Sequence, residues 1–373
     1  MNYNKIILKK SLENSIFFLI IINLGNFLNF VSQFFLNRNL DFNSFGIYAV
    51  ALNILSIFTA INIIIPIVIR NYFSLEKKLN LDKVRLLKKI LIYSIIYWIL
   101  ACIIILFFKN NFLNVLNISD DRIVIFFIAS IFSLNLLNIL YGIYISIDEL
   151  KLGAILNSLN PIIRFCLIIG FFYLITNEVI ALLFTTFYAS IFVVIISLVR
   201  LLVKNKKFLK KLFFVKIKSL HIPLFFNFFG YIIIFSLIYN IDNIIVRYLY
   251  NDQLSAEYIS MNLISKTIYF FVICLAPLVF SDLKKYESKI PLYFSIFLIL
   301  IIGFIFFSII GLYHKEISYL FFGPRYQNNT EIMIQLCLAN MCFALLYFLI
   351  LNKIVEKNYL NLAILSIVGL IYI

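Results

Sequence analysis

The chain has 373 residues, of which 64% are hydrophobic and 13% are charged, and its formal net charge is +15. Soluble domains are about 45–50% apolar and about 25% charged, so this composition excludes a soluble globular protein. A basic excess is also found in nucleic-acid-binding proteins. Here, however, the basic residues lie at the ends of apolar segments, which favours contact with membrane lipids and predicts no nucleic-acid partner.

Apolar segments follow one another along the whole chain, and a membrane span needs about 20 such residues. In chain order they cover residues 14–36, 45–69, 89–108, 123–147, 152–175, 179–202, 222–248, 256–280, 291–313, 331–352 and 358–373. The last segment stops at Ile373, so we expect the sequence to be truncated by one further helix. The sequence predicts an all-α, polytopic membrane helix bundle with about eleven spans, and twelve in the full protein.

The distribution of basic residues predicts the orientation. Of the 32 Lys and Arg residues, 24 lie at the N-terminus or in every second connection, and only six lie in the remaining connections. Asp and Glu show no such bias. This is the pattern of the positive-inside rule, and it predicts a cytoplasmic N-terminus and a multi-pass protein of the cell inner (plasma) membrane. The first segment lacks a signal-peptide cleavage site and is predicted to be an uncleaved span.

The longest connection suggests how the chain is organised. Residues 204–221 are basic, with interspersed Leu, Phe and Val, and predict a short amphipathic helix on the inner leaflet. This linker separates a predicted N-terminal six-helix lobe, residues 1–203, from a C-terminal lobe, residues 222–373. A Tyr-to-Pro spacing of 18 residues from Tyr48 in the first lobe and 19 from Tyr258 in the second indicates a parallel repeat of the kind found in transporters.

Three charged residues stand out because they lie inside predicted spans and away from the ends, where charges are costly and usually face a cavity or a partner. They are Arg164, Asp242 and Lys266. Arg164 follows Asn157 and Asn160 at helical spacing, so the three side chains share one face of the fifth span. Pro161 between them can kink that helix. This face is a candidate binding site for an anionic head group; the alternative is an arginine paired with a neighbouring helix for structural reasons.

Asp242 and Lys266 are a second candidate site. Asp242 lies in the outer part of the seventh span, and Lys266 lies about eleven residues into the eighth. The helical rise places them roughly 5–10 Å apart in depth, so a salt bridge between them is marginal. The pair could serve in gating, or Asp242 could couple transport to an ion gradient. The alternative is a pair that only stabilises the fold.

A polar stripe runs along the first span. Asn23, Asn26 and Asn29 are three residues apart, and Gln33 follows four residues later, so they share one helix face. The stripe predicts either a cavity wall of sugar-binding amides or interhelical hydrogen bonds in a bundle.

Cysteine and histidine spacings predict no cofactor. The cysteines are Cys102, Cys166, Cys274, Cys337 and Cys342, all in apolar segments and without CxxC spacing. They are typical of buried apolar residues rather than of disulfides or metal ligands. The two histidines, His221 and His314, are far apart, so we predict no metal site and no haem.

Three segments carry a family resemblance. They are residues 37–50 (NRNLDFNSFGIYAV), residues 239–258 (YNIDNIIVRYLYNDQLSAEY) and residues 320–353, which begin LFFGPRYQNN. In order and spacing they resemble the O-antigen and polysaccharide flippases (Wzx-type) of the multidrug/oligosaccharidyl-lipid/polysaccharide exporter superfamily.

The resemblance implies two lobes related by a pseudo-two-fold axis around a central cationic cavity. It implies a flippase that moves undecaprenyl-pyrophosphate-linked oligosaccharide, an O-antigen (lipopolysaccharide) or capsular repeat unit, across the inner membrane by alternating access, for polysaccharide biosynthesis. Arg164 and Lys266 would meet the pyrophosphate, and Asp242 matches an aspartate of the family's seventh span. The implied partners are the lipid-linked oligosaccharide, membrane lipids, a polysaccharide polymerase and a chain-length regulator.

Two other functions remain alternatives. An integral-membrane polysaccharide polymerase or ligase usually has a large outer loop with catalytic charges, whereas the outer connections here are under twenty residues long; we therefore predict that the protein is not an enzyme. A drug/cation antiporter of the same superfamily requires carboxylates in the first-half spans, and the sequence has none near the middle of spans one to six.

Overall fold

The structure, a computed structural model, describes residues 2–62, 65–66, 69, 81–146, 150–175, 178–204, 214–215, 223–269, 290–326 and 329–355. Every regular element in these residues is a helix. In chain order the helices are α1 (Asn2–Asn39), α2 (Phe42–Phe58), α3 (Leu81–Phe107), α4 (Lys109–Leu116), α5 (Arg122–Ser146), α6 (Leu150–Gly170) with a π-helical turn (Phe171–Ile175), α7 (Val179–Lys204), α8 (Pro223–Leu249), α9 (Asp252–Ser265), α10 (Ile290–Phe322) with a 3₁₀ turn (Pro324–Tyr326), and α11 (Ile332–Val355).

Eight of the described helices are long and apolar enough to cross a membrane: α1, α3, α5, α6, α7, α8, α10 and α11. A helix satisfies all backbone hydrogen bonds internally, which a span in lipid requires. The chain is therefore an all-α, multi-pass membrane protein, as predicted. The second and eighth predicted spans lie only partly within the described residues, and the eleventh, 358–373, lies outside them.

Several helices extend beyond the apolar segments that predicted them. α10 was expected to end at residue 313 but continues to Phe322, with a break in helical geometry at Tyr313 (φ −126°, ψ 26°). α1 begins at Asn2 and α3 at Leu81, both earlier than predicted. The reason is that polar and charged residues end an apolar segment without ending a helix, because Lys, Glu and Arg are themselves good helix formers.

Pro161 lies inside α6, and the α-helix continues through it to Gly170. The change in helical geometry comes ten residues later, at the π-helical turn Phe171–Ile175. α1 makes room for the proline ring, because a Cβ atom on Gly25 would lie 3.0 Å from Pro161 Cγ. A glycine at this position therefore allows α1 and α6 to pack closely.

The chain divides into two compact units. The first unit comprises residues 1–28 and 51–236, and the second comprises residues 29–50 and 237–373. Helices α1, α2 and α8 therefore each contribute residues to both units. The predicted lobe boundaries, with most of the linker 204–221 outside the described residues, stay a prediction.

In the first unit, hydroxyl groups join the helices. Ser133 of α5 and Ser190 of α7 are hydrogen-bonded at 2.6 Å, and the Tyr144 hydroxyl donates to the Ser197 carbonyl at 2.8 Å. Small hydroxyl residues at such contacts let the backbones approach closely and supply hydrogen bonds across the interface. α3 joins them through the Trp98 indole N–H, which donates to the Ile128 carbonyl at 3.0 Å.

In the second unit, α11 packs against both α9 and α10. The Ser265 hydroxyl of α9 donates to the Met333 carbonyl at 3.2 Å. On the α10 side, a Cβ atom on Gly303 would lie 2.8 Å from Met341 Sδ, so the absence of a side chain at Gly303 permits this contact. These three helices carry or adjoin the polar residues of the second unit that are described in the next subsection.

Candidate functional site

The residues of the predicted anion-binding face lie on α6 in the first unit. Asn157, Asn160 and Arg164 are all partly buried, and their spacing places them on one face of the continuous helix. Among the described residues, the buried carbonyl oxygen of the Asn160 side chain has no hydrogen-bond partner. The Asn160 side-chain oxygen can accept a hydrogen bond from a polar ligand, and the Arg164 guanidinium on the same helix face can donate one to it.

Helix α1 packs directly beside this face. The Ser158 hydroxyl of α6 donates to the Ile21 carbonyl of α1 at 2.8 Å. Asn23 and Asn26 follow on α1, both partly buried and both with contacts of their own. The structure thus places the four predicted amides and Arg164 on two contacting helices of the first unit.

The second unit contains the predicted pair of Asp242 and Lys266, and here the ion pair is formed. Lys266 Nζ lies 3.4 Å from Asp242 Oδ1, and it donates to the Tyr239 carbonyl at 2.6 Å. The ammonium also lies 4.3 Å from the centre of the Tyr239 ring. The exposed fractions of the side chains are 7% for Lys266 and 31% for Asp242. The lysine ammonium therefore has little contact with solvent, and its protein partners replace the lost hydration.

The position of Lys266 differs from the sequence-based expectation of an unbroken eighth span. α9 ends at Ser265, and Lys266 is its C-terminal cap residue. The chain is helical again at residues 267–269, where the Tyr269 N–H donates to the Lys266 carbonyl at 3.1 Å. A cation at the C-terminus of a helix is favoured by the helix dipole, which gives Lys266 a second stabilising contribution besides its carboxylate.

Carboxamides connect the Asp242 carboxylate to two other helices. Asn262 of α9 donates to Asp242 Oδ2 at 2.5 Å and to Asn243 Oδ1 at 2.8 Å. Asn340 of α11 in turn donates to Asn262 Oδ1 at 3.1 Å. Sequence reasoning missed Asn262 and Asn340 as members of this site, because isolated asparagines are frequent throughout the chain.

A second polar cluster of the same unit surrounds Arg247, which lies at the end of the predicted seventh span. The structure buries Arg247 at the end of α8, with 1% exposure. It donates to Asp252 Oδ1 at 2.6 Å and to Asn43 Oδ1 at 2.5 Å. A Cβ atom on Gly46 would lie 2.9 Å from Arg247 Nη1, so a glycine is needed where α2 passes the guanidinium.

Arg325 belongs to the same cluster and holds the end of α1. Its guanidinium donates to the carbonyl oxygens of Asn37 and, at 2.7 Å, of Leu40. It also lies 5.3 Å from the ring centre of Phe42 and of Tyr326. Burial raises the pKa of Tyr326 to about 12, so this hydroxyl stays protonated beside the arginine.

The two arginines bring together the three segments that carry the family resemblance. Residues 37–50 supply Asn37 and Asn43, residues 239–258 supply Arg247 and Asp252, and residues 320–353 supply Arg325. These segments are far apart in sequence, and they meet within the second unit.

Within the described part of the chain, no three His, Cys, Asp or Glu side chains are close enough to bind a metal ion. Cys274 and His221 lie outside that part. The chemistry offered by the described residues is therefore hydrogen bonding and charge.

No protein-family model and no curated protein sequence matches this chain. Its fold, however, is similar to those of solved membrane proteins. One is a multidrug resistance MATE family transporter of the MOP superfamily in an inward-facing conformation, with 14% identity, a TM-score of 0.63, and coverage of 95% of this chain and 87% of that chain.

Two further structures are similar to the same extent. The lipid II flippase MurJ in an inward closed conformation has 14% identity and a TM-score of 0.61 over 95% of this chain and 86% of that chain. A point mutant of the MATE transporter VcmN from Vibrio cholerae has 10% identity and a TM-score of 0.63 over 98% of this chain and 88% of that chain. At these identities the similarity shows the fold: the chain has the helical fold of these MATE transporters and of MurJ.

Proposed function

We propose that the protein is a flippase that moves a polyprenyl-pyrophosphate-linked oligosaccharide, an O-antigen or capsular repeat unit, across the inner membrane by alternating access. The observation that carries the proposal is the face of α6 that presents Arg164 with Asn157 and Asn160, partly buried in a membrane span. One protein of similar fold is a lipid II flippase, which supports a lipid-linked substrate. The other two are transporters, which supports transport over enzymatic catalysis.

The physical difficulty of such a reaction is the charged head group. A pyrophosphate cannot enter hydrocarbon without a large desolvation cost, whereas a polyprenyl tail can remain in lipid throughout. Arg164 can compensate the phosphate charge, because a guanidinium forms bidentate hydrogen bonds with phosphate oxygens. The neighbouring carboxamides of Asn157 and Asn160, with Asn23 and Asn26 on α1, can hydrogen-bond sugar hydroxyl groups.

Lys266 fits a different role from Arg164. Its ammonium already contacts a carboxylate, a backbone carbonyl and an aromatic ring. Contact with a pyrophosphate would require breaking these interactions. Arg164 is less deeply buried than Lys266, so we assign the pyrophosphate to Arg164 and propose that Asp242 and Lys266 act together in gating or ion coupling. The predicted partners, a polymerase and a chain-length regulator, stay predictions.

A drug/cation antiporter is the second candidate, because two of the proteins with a similar fold are MATE transporters. An organic cation would need a carboxylate within the spans. The sequence of the first-unit spans contains no Asp or Glu, and Asp242 in the second unit already pairs with Lys266. The arrangement of charge therefore favours an anionic substrate.

Flipping in reconstituted vesicles tests the proposal. The substrate is a labelled undecaprenyl-pyrophosphate-linked oligosaccharide, and its control is the same glycan on undecaprenol without the pyrophosphate. We expect Arg164→Gln to slow flipping at least about tenfold, because a hydrogen bond to a charged group contributes about 1.5–3 kcal/mol. Arg164→Lys should retain part of the rate. Lys109→Gln, which removes a cation from an exposed ion pair with Asp121, is the matched control.

The outcomes separate the candidates. Equal flipping by wild type and Arg164→Gln would refute the assignment of the pyrophosphate to Arg164. A wild-type protein that does not flip the glycolipid, but exchanges an organic cation for protons or sodium, would favour the antiporter.

A further inference from the structure

The connection between α1 and α2 belongs to a different unit from the far ends of the two helices that it joins. Residues 36–46, which we call the corner, belong to the second unit. Both helices nevertheless continue into the first unit, as residues 2–28 of α1 and 51–58 of α2. The corner is therefore covalently joined to the first unit through two helices, and it is held in the second unit by non-covalent contacts.

The far ends of both helices are fastened in the first unit. On α1, the Ile21 carbonyl accepts from the Ser158 hydroxyl at 2.8 Å. On α2, the Phe58 carbonyl accepts from the Tyr97 hydroxyl at 2.6 Å. Any movement of one unit against the other must therefore either bend both helices or release the corner.

Two arginines hold the corner, Arg247, which is buried, and Arg325, which is partly buried; we call them the corner clamp. Arg247 binds the side chain of Asn43, and Arg325 binds the carbonyl oxygens of Asn37 and Leu40. These carbonyls lie at the C-terminal end of α1, where backbone carbonyls have no partner within the helix. The clamp thus holds the backbone of the corner in addition to one of its side chains.

Other partners of the clamp arginines limit the free-energy cost of releasing the corner. Arg247 also donates to Asp252 and Ser255, which belong to the second unit's own α9 and would stay when the corner leaves. Its charge therefore remains compensated. Asp252 is 49% exposed, and the carbonyls released by Arg325 can be hydrogen-bonded by water, as they are at many helix ends.

We propose that the corner clamp is a reversible latch, closed in this structure, which must release the corner during each transport cycle. The inference rests on the proposed function in one respect, namely that the two units move against each other during transport. The clamp holds the corner with directional, charge-assisted hydrogen bonds. Opening it breaks the bonds to the corner and leaves the buried Arg247 paired with Asp252, while the partly buried Arg325 can be hydrogen-bonded by water.

Cross-linking tests the need for release. In a chain without its five native cysteines, Asn37→Cys and Ser260→Cys are joined with a short bifunctional thiol reagent, because Asn37 Nδ2 lies 2.6 Å from Ser260 Oγ. We expect the cross-link, verified by mass spectrometry, to reduce flipping more than tenfold, and cleavage of the cross-link to restore it. The matched control is Ser133→Cys with Ser190→Cys, a pair at 2.6 Å inside the first unit, whose cross-link should leave flipping unchanged.

A second measurement does not depend on any substrate. Asn37 has 0% exposure, so a single cysteine introduced by Asn37→Cys reacts with a hydrophilic thiol reagent only when the corner opens. We expect Arg325→Gln and Arg247→Gln to raise its alkylation rate at least about tenfold. Alkylation of a cysteine introduced by Ser133→Cys, which is also fully buried, should not change, and this control separates release of the corner from general unfolding.

The two measurements fail in different ways. Undiminished flipping by the cross-linked protein, or an unchanged alkylation rate in both arginine variants, would overturn the latch. If the uncross-linked protein does not flip the glycolipid, the proposed function fails, while the alkylation result still decides whether the clamp holds the corner.

Discussion

The two units of the molecule differ in the polar contacts that join their helices and in how deeply their charged side chains are buried. In the first unit, helices are joined by hydroxyl groups such as those of Ser133, Ser190 and Tyr144, and the cation within its spans, Arg164, is only partly buried. In the second unit, Lys266 and Arg247 are buried, and each contacts a carboxylate.

This difference suggests a division of tasks. A buried charge is tolerated only with a partner, and removing that partner is costly, so the buried charges of the second unit contribute to its stability in addition to the gating and latch roles proposed above. The first unit presents a cation and carboxamides on a helix face. We therefore expect substitutions at the buried charges of the second unit to lower stability more than substitutions on the α6 face, whose main effect should be on transport.

The largest effect on stability is expected for Asp242→Asn. This change leaves the Lys266 ammonium buried without its carboxylate, which should lower the free energy of unfolding by about 3 kcal/mol. Thermal unfolding in detergent measures it, and Asp242→Asn with Lys266→Met should recover most of the loss. In the first unit, Arg164→Gln should cost less than about 1 kcal/mol; equal losses in both units would remove the contrast between them.

Asn135 is a residue of the first unit whose substitution should raise stability. It is 2% exposed, and neither polar atom of its side chain has a hydrogen-bond partner among the described residues; it lines a small cavity with Leu91 and Trp98. Burying an unpaired carboxamide costs about 1–3 kcal/mol in proteins, so Asn135→Leu should raise the free energy of unfolding by about 1 kcal/mol. Asn262→Leu in the second unit, where the side-chain amide both donates and accepts hydrogen bonds, should lower it. A loss of stability in Asn135→Leu would mean that this amide has a partner.

A smaller effect is expected where the first unit uses hydroxyl contacts. Tyr144→Phe removes the hydrogen bond to the Ser197 carbonyl, and such bonds in membrane proteins average about 0.6 kcal/mol. Tyr188→Phe is the control, since that residue is 43% exposed. A loss of several kcal/mol in Tyr144→Phe would show that hydroxyl contacts in the first unit matter as much as ion pairs in the second.

The smallest effect concerns a surface ion pair of the first unit, between α4 and α5. The hydrogen bond from the Arg122 side chain holds the pKa of Asp120 below its usual range. A carboxylate whose pKa is lower in the folded state stabilises the protein above its unfolded-state pKa of about 3.9, and the contribution is lost as the pH falls. The melting temperature of wild type should therefore fall slightly more than that of Arg122→Gln between about pH 5 and pH 3; parallel curves would contradict this.

Much of the fold could be predicted because the signals for membrane spans are local. The apolar segments predicted the long helices that the structure describes, although several ends were misplaced, as in α10, where polar residues follow Tyr313. The short helix α4 (Lys109–Leu116) lies between two predicted segments and was missed. The interruption at Lys266 could not be predicted in the same way, because no Gly or Pro lies beside it and the helix ends where its ammonium meets Tyr239 and Asp242.

The candidate sites were predicted in part. Arg164, Asp242 and Lys266 were found because a charge inside an apolar segment is visible in the sequence. Arg247 and Arg325 were missed, since their positions near span ends are those of ordinary interface residues. Their burial depends on Gly46 and on the end of α1, which no local pattern connects with them.

The sequence by itself determined that this chain crosses the membrane many times, because hydrophobicity and charge add up over neighbouring residues. Only the tertiary structure decided which polar groups meet. Arg247 and Asn43 are 204 positions apart, and Arg325 and Leu40 are 285 apart. The physical reason is that the stability of a buried charge depends on partners brought within about 3 Å by helix packing, and that information is not contained in any single segment of the chain.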